Sequence, residues 1–175
     1  MSLSLLNLQP QSLENDIVKL IPLEENHFEV LYQVASDPLI WEQHPKKDRY
    51  KIEVFKPFFD AAIDAKTAFL ILDKKTNEIM GTTRYYDYST EQSSVAIGFT
   101  FIGRKFWGGI YNQSVKELLL DYAFQNVNSV FLHVGSENIR SQKAVLKLGA
   151  SKTREMNFPD NETGIPHYEY ELKKQ

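Results

Sequence analysis

Hydrophobic positions along the chain fall every second residue in some stretches and every third or fourth in others, and each change of period marks a new element. Residues 16–22 (DIVKLIP) alternate as a strand does, and residues 24–35 carry Phe28, Leu31, Tyr32 and Ala35 at helical spacing. Residues 50–64 set Val54, Phe55, Phe58, Phe59, Ala62 and Ile63 on one broad stripe, which predicts a second helix. Pro57 in its middle lacks an amide hydrogen and crowds the preceding turn, so the pattern demands either a kink or a later start. Three strand-like runs follow at 67–73, 79–88 and 93–102, joined by the turn-forming KKTNE and TEQ, an antiparallel meander. The period returns to helical over 112–124, with Val115, Leu118, Leu119, Tyr122 and Ala123 on one side, and a β-rich run at 130–134 comes next. A last helix over 139–148 closes at Gly149, a residue suited to the left-handed position after a helix, and strands are expected around 150–154 and 167–172. Antiparallel strands lead, and one strand–helix–strand crossover follows them.

No repeat or linker-like stretch interrupts this pattern, so residues 1–175 read as one domain with a substantial core. A net charge of −3 argues against nucleic acid as a partner, since phosphate-backbone binding shows as a basic excess. The chain has no cysteine, which removes disulfides, thiolate metal sites and a cysteine nucleophile together, and no metal is expected. The opening MSLSLLNLQP has neither a basic leader nor an export-length apolar run, and no stretch approaches the ~20 apolar residues of a membrane span. These features predict a cytoplasmic protein without membrane contact. The N-x-S/T triplets at 112–114 and 161–163 would matter only in a secreted chain.

Candidate chemistry begins at RKFWGGIYNQSVKELLLDYAF, residues 104–124, where two glycines and two cations precede a helix. A helix N-terminus presents unpaired N–H groups and partial positive charge, and small residues let an anion approach them. Gly108 and Gly109 would give that access, Arg104 and Lys105 could reach phosphate oxygens, and Asn112 could cap the helix. The other reading is a tight Gly-Gly turn beside solvated cations. Neither a nucleotide P-loop ending in Gly-Lys-Ser/Thr nor a G-x-G-x-x-G is present.

The second candidate is GSENIRSQKAVLKLGA, residues 135–150. Asn138 stands where a strand ends and a helix begins, so its amide can cap the helix or bond a ligand amide. Ser141 lies one turn later, free for a ligand or bonded back to its own helix.

The order of parts resembles the GNAT superfamily of acyl-CoA-dependent N-acyltransferases, and within it the branch of ribosomal-protein N-terminal acetyltransferases. The resemblance covers nearly the whole chain. VKLIPLEENHFEVLYQVASDPLIW is similar to the branch's opening strand and helix, AIGFTFIGRKFWGGIYN to its central strand and pyrophosphate loop, and NIRSQKAVLKLGA to its N-x-x-S-x-x-x-x-x-K-x-G signature. It implies an α+β fold in three α/β/α layers, with a mixed, mostly antiparallel sheet of about seven strands. A V-shaped split between the fourth and fifth strands would take the pantetheine arm of acetyl-CoA as an extra strand. The helix after Tyr111 would receive the pyrophosphate. Two positions depart from the pattern. The loop usually reads Arg/Gln-x-x-Gly-x-Gly/Ala, and Lys105, Gly108 and Ile110 hold those places, with Ile110 expected to face inward as core. Many members carry a carboxylate before the Ile-Gly of the central strand, a base for the amine, where this chain has Ala96.

The resemblance implies acetyl transfer from acetyl-CoA to an amine by direct attack, in a monomer or homodimer. A backbone N–H among Phe99, Thr100 and Phe101 would meet the developing oxyanion, Asn138 would hold the pantetheine arm, and Ser141 would protonate the leaving thiolate. His133 in FLHV, His44 in WEQHP, Glu91 or ordered water are the candidates for the base. Tyr111 and Tyr122 are further phenols, the latter on the apolar stripe. The acceptor, a peptide N-terminus or small-molecule amine, would lie among the first two helices and the C-terminal hairpin, beside Trp41, Tyr85, Tyr86, Phe158 and Tyr168.

Overall fold

The structure, a computed structural model, describes residues 5–158 and 163–175. Its strands are β1 (Leu13–Glu14), β2 (Val18–Pro22), β3 (Ala68–Asp73), β4 (Ile79–Ser89), β5 (Ser94–Ile102), β6 (Ser129–Gly135), β7 (Ser151–Met156) and β8 (His167–Lys173). Four α-helices accompany them: α1 (Phe28–Ala35), α2 (Ile52–Ala65), α3 (Tyr111–Ala123) and α4 (Ile139–Lys147). All eight strands form one sheet in the order β1-β2-β3-β4-β5-β6-β8-β7, antiparallel except for the parallel β5–β6 pair. The expectation of about seven strands misses only the two-residue β1.

Alternation along the strands sends side chains to two helical layers. Val18, Leu20, Phe69, Ile71, Tyr85, Val95, Ile97 and Leu132 share a core with Val115 and Leu119 of α3 and Val145 of α4. Leu70 and Phe101 face the opposite way, against Leu31, Ala35, Phe55 and Phe59 of α1 and α2 and the intervening Trp41. The three expected layers result. Helix α2 starts ahead of Pro57 and continues through it, so the later start does not occur. Pro57 is exposed within the helix, where only the Glu53 carbonyl loses a partner.

The sheet divides where its one parallel pair ends. β5 and β6 are in register only at Ser94–Ser129, Val95–Val130 and Ala96–Phe131; beyond them each strand pairs solely with its other neighbour. This opens the expected split toward the carboxyl ends of both strands, between the fifth and sixth strands once β1 is counted. A bulge marks its edge. Arg84 pairs with Gly98 but Thr82 with Phe101, so β5 carries one extra residue, and Phe99 takes a left-handed φ of +50°. No helix among the described residues is long and apolar enough to cross a membrane.

Candidate active site

One side of the split leads to the start of α3. No side chain caps this helix, and its cap position is Ile110, not Asn112, which lies inside the first turn. Asn112 therefore does not serve as the predicted cap. Gly108 adopts φ +72°, a backbone most side chains resist, and a Cβ added at Gly108 or Gly109 would meet nothing within 4 Å. The ground before the helix is open. Ile110 is 57% exposed, which corrects the expectation of an inward core residue: placed one position before the helix, it has no core to enter.

Both cations upstream have partners. Arg104 Nε donates to Asp37 Oδ2 at 2.5 Å, and Lys105 Nζ donates to Glu78. The pairs are exposed, a setting in which such contacts stabilise by only ~0–1 kcal/mol. Tyr111 donates its hydroxyl to Asp73 Oδ2 at 2.8 Å and packs its ring on Phe106.

The bulged strand sends its three residues three ways. Phe99 is 42% exposed beneath the Arg84 guanidinium, 3.6 Å from its ring centre. Phe101 is buried on Trp41 and Phe55. The Thr100 hydroxyl bonds Thr83 Oγ1 at 2.8 Å and accepts from Lys116 Nζ at 2.6 Å. Lys116, which its sequence spacing does not distinguish from a surface lysine, is buried on α3, and burial depresses its pKa to about 7.

Across the split, Asn138 is buried and accepts from the Ser141 amide at 3.2 Å, so it caps α4. Among the described residues nothing accepts from the Ser141 hydroxyl, so it is not bonded back to its own helix. Arg140 ties this helix start to the segment between α1 and α2, donating its backbone N–H to Gln43 Oε1 at 3.1 Å and its guanidinium to the Ile40 carbonyl at 3.3 Å.

The face toward α1 and α2 holds polar side chains that run across three strands. Tyr86 on β4, His133 on β6 and Glu169 on β8 form a chain: Tyr86 Oη to His133 Nδ1 is 2.5 Å, and His133 Nε2 to Glu169 Oε2 is 3.0 Å. The His133 and Glu169 side chains are only 7% and 10% exposed. Burial raises the Glu169 carboxyl, but bonds from Arg154, His133 and Thr153 outweigh it and hold the group below the usual carboxylate range. An ionised Glu169 only accepts, so Nε2 carries a proton toward it; in the neutral imidazole of that tautomer Nδ1 accepts and Tyr86 donates. Burial also pushes the Tyr86 phenol up. Phe158 stacks edge-on against both His133 and His167.

Arg84 and Arg49 stand nearby. Arg49 lies 4.4 Å from the Phe58 ring centre, and Phe58 contacts Phe99. Burial, aided by the Arg84 charge against partial support from Asp48, lowers Arg49 to about 10, still charged at neutral pH. The Nε atoms of both arginines are buried without a partner, and neither guanidinium has a carboxylate within salt-bridge distance among the described residues.

One base candidate falls away. His44 Nδ1 already accepts from the Lys46 amide, and burial drives its pKa to about 3. Glu91 lies where expected, in the exposed turn between β4 and β5. Tyr85 is also no acceptor-side aromatic: it points to the α3 layer and donates to the Leu119 carbonyl at 2.5 Å. Glu169 is absent from the sequence-based candidates, although HYEYELK places its two glutamates on one strand face, opposite Tyr168 and Tyr170.

Comparison with known proteins agrees with this geometry. A family profile described as an acetyltransferase (GNAT) domain matches residues 18–151. An uncharacterized N-acetyltransferase p20 of Bacillus licheniformis is 31% identical over 86 residues; the chain spans about half of that curated relative, 48% of each. A GCN5-related N-acetyltransferase structure from Brucella melitensis superposes with a TM-score of 0.79 at 16% identity, covering 94% of this chain and 81% of that one. A spermidine N-acetyltransferase structure from Vibrio cholerae, in complex with CoA and spermine, gives 0.69 at 15% identity over 91% and 96%. At such identities the structural likenesses speak for the fold alone, and the profile match over most of the length decides the family. A split sheet with an open glycine cradle at its mouth is therefore that of a chain that belongs to the GNAT acetyltransferase family.

Proposed function

We infer that this chain moves an acetyl group from acetyl-CoA to a primary amine, on a protein N-terminus or a small molecule, with both substrates bound at once. The observation that carries this reading is the unobstructed Gly108–Gly109 approach to an uncapped helix at the mouth of the split. The amides around Tyr111 and Asn112 would hold the diphosphate, with Arg104 and Lys105 at its flank once released from their exposed carboxylates. Main-chain groups of Phe99, Thr100 and Phe101 would pair with the pantetheine arm, and one N–H there would meet negative charge on the acyl oxygen. Asn138 keeps its amide nitrogen for the same arm while its oxygen caps α4, and Ser141 would return a proton to the leaving sulfur. Acetyl-CoA supplies the activated acyl group as a thioester. No metal enters this reading.

The charge on the acceptor side favours some amines over others. Two guanidiniums with no carboxylate at salt-bridge distance among the described residues would disfavour a polyamine and attract an acceptor that carries an anion near its amine, such as an amino acid or the acidic end of a peptide. Ala96 favours one other reading, a CoA-binding module without catalysis, because the usual carboxylate is missing there.

Thiol release from acetyl-CoA, measured with ribosomal-protein N-terminal peptides, amino acids and spermidine, tests these readings. The proposal expects turnover with an anion-bearing amine exceeding that with spermidine. Saturable acetyl-CoA binding without turnover on any amine would favour the module, and no binding at millimolar acetyl-CoA would contradict both.

A further inference from the structure

The carboxylate lost at Ala96 leaves the amine without an evident proton acceptor, and the cross-strand neighbour of Ala96 on β4 is Tyr86. Its ring lies over β5 toward the split. A Cβ added at Gly98 would come within 2.9 Å of Tyr86 Cε1 and 3.2 Å of Tyr86 Oη, so only glycine at 98 lets the ring cross there. The ring also packs edge-on against Phe99, 5.0 Å between centres, which places the phenol beside the bulged residue at the edge of the split. On the far side of the split His133 Nδ1 shares a hydrogen bond with the phenol, with Glu169 behind it.

We propose that Tyr86, His133 and Glu169 form a proton relay that replaces the missing carboxylate as the base for the acceptor amine. Tyr86 is the catalytic residue, because its oxygen meets the amine; His133 and Glu169 are positioning residues that act through it. This inference rests on the acetyltransferase reading. One proton of the substrate ammonium passes to Tyr86 Oη as the phenol's own proton passes to His133 Nδ1, and the imidazolium formed lies against ionised Glu169. The nitrogen lone pair then bonds the acyl carbon as the carbon–sulfur bond breaks, and the second N–H proton goes to the departing sulfur. The relay's proton returns through Tyr86 to solvent after the product leaves. The phenol never carries a full negative charge, which burial would oppose.

The charged and titratable groups facing His133 are Tyr86 from β4 and Glu169 and His167 from β8, with Arg154 of β7 reaching it only through Glu169. The first test uses the free protein: nitrogen-15 NMR of the imidazoles should find His133 with Nε2 protonated and Nδ1 bare, its Nδ1 signal moving in Tyr86→Phe. The opposite tautomer overturns the relay, whatever the variants do. The second test is kinetic, on the amine with the fastest thiol release. Tyr86→Phe should lower kcat about 100-fold, the lower range for a positioned proton acceptor, with acetyl-CoA affinity within twofold of wild type. Glu169→Gln should lower kcat less and move the acid limb of the pH profile. A Tyr86→Phe enzyme within threefold of wild type, with an unmoved profile, overturns the relay and leaves the acetyltransferase reading standing. A wild type that binds no acetyl-CoA overturns both.

Discussion

The two sides of the split are built from different materials. Toward α3 the site consists of main chain and empty space: Gly108, Gly109, an uncapped helix start and a bulged strand edge. Toward α1, α2 and the β7–β8 hairpin it consists of side chains, with a Tyr86–His133–Glu169 chain and two guanidiniums over aromatic rings. A diphosphate is the same in every reaction of a CoA enzyme, so fixed amides would recognise it with few demands on side chains. An acceptor must be chosen and deprotonated, and in the proposed reading side chains would do both. Mutations should therefore separate cleanly: changes near residue 108 alter cofactor affinity, and changes around Tyr86 alter turnover.

The largest effect is expected at the glycines. Gly109→Val, at an ordinary φ, should weaken acetyl-CoA by about 100-fold through obstruction alone, with the melting temperature nearly unchanged. Gly108→Val should add a backbone cost of about 1–2 kcal/mol, because φ +72° disfavours a β-branched residue. Calorimetry and thermal melts separate the two, and equal affinity in Gly109→Val would break the comparison.

Lys116 gives the next effect, on stability. Its folded pKa is near 7 against an ordinary 10.5, so between those values the unfolded chain holds a proton that the folded chain lacks. Stability should then rise with pH from 7 to about 9.5, by up to about 1.4 kcal/mol per unit. Below pH 7 the full cost of burying the charge is present. Lys116→Met should remove this slope and stabilise the protein at pH 7, as urea melts at several pH values would record; a flat wild-type profile would contradict it.

Gly98→Ala should displace the Tyr86 ring and lower kcat about tenfold while acetyl-CoA binding stays the same. The smallest effect belongs to Arg104→Ala, under threefold in acetyl-CoA affinity, since its side chain is exposed and already paired with Asp37. A larger loss would shift recognition of the diphosphate from main chain to side chains.

The glycine turn before α3 and the start of α4 were legible in the sequence because glycine spacing and helix periodicity are local signals. Gly108, Gly109, Asn138 and Ser141 stand where NIRSQKAVLKLGA and RKFWGGIYN put them. Ile110 and Asn112 were misassigned because a one-residue change in where α3 begins decides which residue caps and which faces outward. The acceptor side was legible only in part. Tyr86 and His133 were visible as residue types, but their bond spans 47 positions and depends on Gly98 between them. The buried Lys116 and the arginines whose Nε atoms lack partners likewise arise from packing between distant elements, which no local pattern encodes.

A crystal grown with acetyl-CoA tests the central claim most directly. The account predicts the diphosphate on the amides between Gly108 and Asn112, and the pantetheine arm between β5 and β6 with its thioester beside Phe99 and the Tyr86 hydroxyl. Cofactor bound elsewhere, or a split closed by side chains with the glycine approach empty, would contradict it.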